Sequence, residues 1–337
     1  MSISDYLRDL RAKVGTELLL MPAVTVVCRD EAGRILLARH RDDGRWGIPG
    51  GTMDPDETPA NTAVRELWEE TGLLVEPVHI LGVYGGPNFR VTYPNGDQIA
   101  SVDTVFEGRI LGGALAADQD EISELRYFTQ SEIPQLDLPL WMRIILPDLF
   151  RVDGQTGFQP PIWQPPVDGV RKGGISDYVR QLRRKIGHDL LLMPSVGALV
   201  FDQAGHILLQ QRADNGQWSA PVGGMDPDEA PADAVKREVW EETGVLVQPE
   251  RVLGVFGGPR MRNTHGNGDQ TSSVFMLFAC RAGEETSPSP DGIESLDARF
   301  FPADEALARL SARWQQRVGF AFTPATNAQF EPATWRP

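Results

Sequence analysis

Glu66, Glu69 and Glu70 are spaced so that a helix, advancing about 100° per residue, brings all three to one side with Arg65 beside them. Val64, Leu67, Trp68 and Thr71 then fall on the opposite side, an apolar face suited to packing on a sheet. Three like charges within one turn repel and destabilise a bare helix. A hard divalent cation removes that repulsion, and Mg²⁺ takes carboxylates, water and phosphate oxygens together. A cation held this way bridges a diphosphate, neutralises charge on the leaving group and lowers the pKa of a bound water. The residue types therefore suit hydrolysis of a phosphoanhydride. The same set recurs as Glu238, Glu241 and Glu242, with Arg237 beside them.

The helix must be preceded by a loop that positions it. Gly51 to Leu73 and Gly223 to Val245 both fit G-x5-E-x7-R-E-U-x-E-E-x-G-U, where U is a bulky aliphatic residue. Pro59 suits the first helical turn with Thr58 or Asp56 as cap, and Gly72 and Gly244 suit the C-terminal ends. In the second copy Ala230 replaces Thr58, which makes Asp228 the expected cap. Gly51 and Gly223 are read as allowing close backbone approach to metal or phosphate. An isolated E-x-x-E-E would be taken for a solvated helix face; the glycine loop, the fixed Glu and the second full copy reverse that. Val222 stands where the first copy has Gly50, a local departure in the second loop.

This pattern resembles the signature of the Nudix hydrolases, the MutT-like pyrophosphohydrolases, at every fixed position in both copies. The resemblance implies a duplicated Nudix fold, an α/β/α sandwich around a mixed β-sheet, with Mg²⁺ as cofactor and Mn²⁺ as a substitute. It implies Glu66, Glu69 and Glu70, and Glu238, Glu241 and Glu242, as metal ligands. It implies that Glu57 and Glu229 support the helix through Arg65 and Arg237. Family members differ in their general base. Some use a box glutamate, here Glu69 or Glu241; others use an acidic residue on a later loop, for which Glu121 and Glu294, or Glu124 and Asp297, are the candidates beside a reading as solvated loop carboxylates. Such enzymes cleave a nucleoside diphosphate linked to another group. Pro87 and Pro259, each 15 residues after the last box glycine, read either as a marker of ADP-ribose-type members or as turn prolines after Gly85-Gly86 and Gly257-Gly258. Two alternatives stand beside an ADP-ribose-like pyrophosphatase: a hydrolase of oxidised nucleoside triphosphates, and a non-catalytic module that senses ADP-ribose or a nucleotide. Many relatives of ADP-ribose type are homodimers, so the two copies are expected to pair as an intramolecular pseudo-dimer.

The duplication is visible along most of the chain. ISDYLRDLRAKVGTELLLMP from Ile3 and ISDYVRQLRRKIGHDLLLMP from Ile175 start the copies, an offset of 172 residues. GQTGFQPPIWQPP, from Gly154 to Pro166, has the composition of a linker, yet Phe158, Pro160, Trp163 and Pro165 return as Phe330, Pro332, Trp335 and Pro337. That tail therefore belongs to each copy. The expected units are residues 1–166 and 175–337, with 167–174 as linker. Each begins with an amphipathic helix, Ser4 to Lys13 in the first, capped by Ser4. Strands follow at Ala23 to Cys28, Arg34 to Ala38, Ser195 to Phe201 and His206 to Gln210, and later strands flank the hairpin dipeptides Asn95-Gly96 and Asn267-Gly268.

Basic and aromatic residues before each loop are candidate substrate contacts: Arg39 and Arg41 in the first copy, Arg212 in the second, for phosphate. Trp46 and Trp218 read as packing first and nucleobase stacking second. These differences predict related but unequal substrate preferences. The 337 residues carry a formal net charge of −15, which disfavours a nucleic-acid partner but not a small phosphorylated nucleotide whose cations come with it. No apolar run is long enough to span a bilayer. The first residues lack the apolar stretch and cleavage site of a secretory signal. Only two cysteines occur, Cys28 and Cys280, at non-equivalent places in the copies; a cytoplasmic protein is expected.

Overall fold

A computed structural model describes residues 4–151, 154–284, 287–319 and 327–337; Ile3, where the first repeat starts, lies outside them. The first unit runs α1 (Asp5–Val14), β1 (Leu18–Cys28), β2 (Ile35–His40), β3 (Trp46–Gly47), β4 (Gly50–Thr52), α2 (Pro59–Thr71), β5 (Leu73–Tyr84), β6 (Arg90–Thr92), β7 (Gln98–Gly113), β8 (Ile122–Phe128), α3 (Leu140–Leu149) and β9 (Gly157–Phe158). The second runs α4 (Asp177–Ile186), β10 (Leu191–Phe201), β11 (Ile207–Arg212), β12 (Trp218–Ser219), β13 (Val222–Gly224), α5 (Pro231–Thr243), β14 (Val247–Phe256), β15 (Arg262–Thr264), β16 (Gln270–Ala282), β17 (Ser295–Phe301), α6 (Ala303–Arg309) and α7 (Ala312–Val318).

In each unit a long apolar strand organises the rest. β1 is buried over nearly its whole length and pairs in parallel with β7, from Leu18 opposite Gln98 to Cys28 opposite Gly108. It starts five residues before the expected Ala23, because burial on both faces extends it. β5 joins β7 antiparallel, and β4 joins β1, which gives the mixed sheet β4-β1-β7-β5-β9. The Asn95-Gly96 turn closes the β6–β7 hairpin, with Gly96 at φ 88°, a left-handed conformation that glycine adopts without cost. Ala63, Val64 and Leu67 of α2 pack on one face of the sheet with Val24 and Val26. Met142, Ile145 and Leu149 of α3 pack on the other with Val27 and Val105. The α/β/α layering therefore follows from apolar stripes on two helices and a strand apolar on both sides. α6 and α7 cover the corresponding face in the second unit.

The same core cluster runs from one unit into the other. Leu7, Leu10 and Val14 of α1 and Leu182 and Ile186 of α4 share it with residues of both sheets. The Tyr6 hydroxyl accepts from the Leu192 N–H at 2.8 Å, and the Tyr178 hydroxyl accepts from the Leu20 N–H at 2.7 Å. The tails cross over. Phe158 meets Phe278 edge-on with centroids 5.5 Å apart, and Phe330 meets Phe106 at 5.0 Å. The Ile162 and Trp163 N–H groups donate to Asp233 on α5, and the Thr334 and Trp335 N–H groups donate to Asn61 on α2. Each crossed phenylalanine is partly buried and contributes less than the roughly 1.5–3 kcal/mol of full burial. Residues 167–174 are docked as well: Arg171 donates to Ser289 and Pro290, and the Gly174 N–H donates to Glu294.

Candidate active site

α2 is capped by Thr58, whose hydroxyl accepts from the Asn61 N–H at 3.2 Å, and by Gly72 at its other end, in the left-handed region at φ 69°. α5 ends the same way on Gly244, but its N-cap is Ala230, with no side-chain cap. The expected cap Asp228 does not serve. It sits in a left-handed turn at φ 71°, and its carboxylate is taken by Arg90 of the first unit, with Nε to Oδ1 at 2.6 Å. Asp56, at φ 72°, is held in the same way by Arg262.

One arginine gathers the carboxylates in each unit. Arg65 grips Glu57 with Nε and Nη2 at 2.7 and 2.8 Å, and its Nη1 donates to Glu66 at 2.7 Å and Glu69 at 3.2 Å. Arg237 repeats this with Glu229 at 2.5 and 2.8 Å, Glu238 at 2.8 Å and Glu241 at 3.0 Å. Glu57 also accepts from the Asp54 N–H and the Thr62 hydroxyl. Burial alone would raise its pKa; the hydrogen bonds and charge of Arg65 outweigh that and hold it below the ordinary value.

The deepest carboxylate lies beyond the arginine's reach. Glu70 is 5% exposed and accepts from the Gly50 N–H at 2.9 Å; Glu242 is 3% exposed and accepts from the Val222 N–H at 2.9 Å. The exchange of glycine for valine thus leaves this hydrogen bond in place. Burial first, and then the charge of Glu66 or Glu238, raises both deep glutamates well above the ordinary carboxylate range. Burial likewise pushes Glu66 and Glu238 up to about 7, despite Arg65 and Arg237. Gly51 gives way to the carboxylate itself: a Cβ there would stand 2.5 Å from Glu66, and one at Gly223 would meet Glu238 still closer. The glycine thus makes room for the glutamate, where the sequence pointed to metal or phosphate.

Among the described residues no three acidic, His or Cys side chains converge as a ready-made cage. The arginine's Nη1 stands between two of the three glutamates. The donor set nonetheless fits Mg²⁺. It offers hard oxygens and two shielded carboxylates in electrostatic contact, the deeper of which accepts a backbone N–H rather than the arginine. These shifts fix a pH response for metal-free protein. A carboxylate whose folded pKa lies above its unfolded value disfavours the fold once ionised, so the contribution of Glu66 and Glu238 to stability is greatest at low pH and is lost as pH rises from about 4.5 to about 7. The loss is on the order of 3 kcal/mol per unit. The thermal midpoint of chelator-treated protein should drop between pH 5 and pH 8, and Mg²⁺ should restore it mainly at pH 8. A flat profile without metal would refute this.

The other sequence candidates fall around this centre. Glu121 precedes β8, with its N–H held by Asp118, and its charge reaches Glu70. The charge of Glu294 reaches Glu242, while its carboxylate accepts from the Gly174 N–H at 2.9 Å. Glu124 faces Arg39 at 3.8 Å, and Asp297 is held by Arg299. Arg41 donates to Gln119 at 2.9 Å. Arg212 is gripped by Asp214 and, next to that, feels Glu242 and Glu294. Arg39 donates to the Gly44 carbonyl and lies over Trp46. Trp46 packs edge-on to Phe128 at 4.8 Å and Trp218 to Phe301 at 5.0 Å, so both are half-buried core-edge residues. Pro87 and Pro259 each open a short 3-10 turn after a Gly-Gly pair.

Four residues escaped the sequence reading. Asp103 on β7 is buried, its pKa is pushed to about 7 by burial, and its Oδ1 has no hydrogen-bond partner among the described residues. Thr25, on the same face of the neighbouring strand, also has a buried hydroxyl without a partner. In the second unit the ring of Phe275 lies over Gly197, 2.7 Å from where a Cβ would stand, so an apolar ring fills that place. Gln210 hydrogen-bonds Glu242 and Ser295 where the first unit has only Ala38 and Ile122.

The NUDIX domain family matches residues 19–149 and again 191–321. A "MutT-like protein" of Streptomyces ambofaciens is 49% identical over 126 residues, 37% of this chain and 73% of that protein. A "Putative 8-oxo-dGTP diphosphatase" of Bacillus subtilis is 33% identical over 114 residues, 34% and 70%. An "ADP-ribose pyrophosphatase" of Methanocaldococcus jannaschii is 34% identical over 133 residues, 38% and 73%. With the motif complete in both units and the family matched over most of the chain, the protein belongs to the Nudix family and is a pyrophosphohydrolase built from two tandem Nudix domains.

Proposed function

We propose that both units hydrolyse the phosphoanhydride bond of a nucleoside diphosphate linked to another group, ADP-ribose-like, with Mg²⁺. The carrying observation is the pair of shielded carboxylates in each unit, half-buried Glu66 with buried Glu70 and buried Glu238 with buried Glu242, whose negative charge the protein leaves partly uncompensated. With Glu69 and Glu241 they would hold the cation, which supplies charge neutralisation and an activated water. Glu57 with Arg65, and Glu229 with Arg237, set their geometry. Glu69 and Glu241, or Glu121 and Glu294, take the water's proton. Arg39 and Arg41 in the first unit and Arg212 in the second meet phosphate; half-buried Trp46 and Trp218 pack first and stack on a base second. The choice of substrate is supported by the relative named for ADP-ribose.

The domains are residues 1–166 and 175–337, joined by 167–174, and we read them as an intramolecular pseudo-dimer, supported by the crossed tails and the shared core. The net charge of −15 supports a nucleotide rather than a nucleic-acid substrate. The buried, unpaired Cys28 and Cys280 support a reducing compartment, the cytoplasm. Among the described residues no helix is long and apolar enough to cross a membrane.

A second reading, hydrolysis of an oxidised nucleoside triphosphate, is favoured for the first unit by Asp103 Oδ1 and the Thr25 hydroxyl, buried polar atoms without a hydrogen bond among the described residues, which a base edge with hydrogen-bond donors would satisfy. The protein incubated with Mg²⁺ and ADP-ribose, NADH, dinucleoside polyphosphates and oxidised triphosphates decides between them. ADP-ribose would give AMP and ribose 5-phosphate; a triphosphate would give pyrophosphate and a monophosphate. Tight binding without turnover would establish a sensor instead. Because the units share a core, they are compared by silencing one site at a time. Glu242→Gln and Glu70→Gln proteins should differ roughly tenfold in relative kcat/KM for two panel members. Equal profiles would sink the idea of unequal units.

A further inference from the structure

We propose that each active-site loop is positioned by the other unit: Arg262 holds the loop of the first site and Arg90 the loop of the second. The inference rests on the activity proposed above.

The loop 53–58 contains a tight turn, closed by the Glu57 N–H on the Asp54 carbonyl at 3.2 Å, with Pro55 second and Asp56 third at φ 72°. The carboxylate that this turn presents is held from the second unit. Arg262 Nε and Nη2 meet the two Asp56 oxygens at 2.5 and 2.5 Å, a two-point grip that fixes direction as well as charge. The preceding Gly257-Gly258 pair lies directly against this loop. A Cβ on Gly257 would stand 3.0 Å from Pro59 and 3.1 Å from the Glu57 carbonyl, and one on Gly258 would stand 3.0 Å from Thr58. The second loop repeats every feature: Asp228 at φ 71°, Arg90 on its carboxylate, and Gly85 3.0 Å (Cβ) from the Glu229 carbonyl.

The residue after Asp56 is Glu57, which holds Arg65, which in turn holds Glu66 and Glu69. A tilt of the loop therefore reaches the cation-binding carboxylates through two ion pairs. Among the described residues the side-chain bonds of Arg262 go to Asp56 and not to Glu66, Glu69 or Glu70, so it is a positioning residue. The pair is substantially exposed, Arg262 at 46% and Asp56 at 37%, so it adds little to global stability. The arrangement also gives the Gly-Gly-Pro turn a use that substrate contact does not require.

The test exploits the crossing. In Glu242→Gln protein, where the first site alone works, Arg262→Ala should lower kcat roughly tenfold, with a smaller effect on KM, and by more than Arg90→Ala does. In Glu70→Gln protein the order should reverse. Amide hydrogen exchange gives a readout independent of turnover. Arg262→Ala should speed exchange several-fold in residues 53–58 and less in 225–230; Arg90→Ala should do the opposite. Damage confined to the unit that carries the changed arginine, or equal in both, would overturn the inference. If no panel compound is turned over while the crossed exchange pattern holds, the proposed activity falls and the loop assignment stands.

Discussion

Replacing Glu70 and Glu242 together by glutamine is expected to abolish turnover, while each single change silences one site and leaves the other. Glutamine has the volume of glutamate, and its side-chain oxygen still accepts from the Gly50 or Val222 N–H, so the loop keeps its anchor. What disappears is the charge. Both glutamates are buried and raised well above the ordinary range, so neutral glutamine relieves the metal-free fold. The metal-free variants should therefore melt higher than the parent while binding Mg²⁺ more weakly. Lewis-acid stabilisation of the transition state is worth several kcal/mol, so each silenced site should lose about 10³-fold in kcat. Steady-state assays across Mg²⁺ concentration, beside thermal melts in chelator, separate the two effects. A double variant that keeps a tenth of parental kcat would refute the assignment of these residues.

Removing Arg65 or Arg237 should give the largest loss of stability of any single surface-reaching change. Arg65 is 18% exposed and holds three carboxylates, two of them equally shielded. Alanine would leave Glu57 and Glu66 facing each other with no cation, at a cost of about 3 kcal/mol in urea unfolding. Lysine should recover less than half, because it lacks the two-pronged grip on Glu57. Mg²⁺ should offset part of the loss by taking charge from Glu66. A change under 1 kcal/mol in the alanine variant would mean that the pairs seen here contribute geometry alone.

Local rules made much of this legible from the sequence. Ser4 and Thr58 cap their helices and Gly72 and Gly244 end theirs, because a hydroxyl at an N-terminus and a glycine at a left-handed end are determined by neighbours a few residues away. The tails were legible because the repeat marks them as parts of the fold. The misreading of Asp228 had a different cause: its partner, Arg90, lies 138 residues away in another unit, where no local rule reaches. Docking of 167–174 on the loop before β17 was hidden for the same reason. Asp103 was missed although its signal was present. Comparing the copies for what differs, Asp103 with Phe275, Thr25 with Gly197 and Ala38 with Gln210, marks the strand positions where the two interiors part company.

In a pair of identical subunits every inherited change is made twice, once in each pocket, and a variant that suits one ligand is forced on both. Here the positions of Asp103 and Phe275 are encoded separately. An aromatic ring lies over Gly197 in one unit while the other keeps the buried polar pair Asp103 and Thr25, and the core that the two units share persists. Joining the copies in one chain thus lets one interior change without dismantling the core common to both.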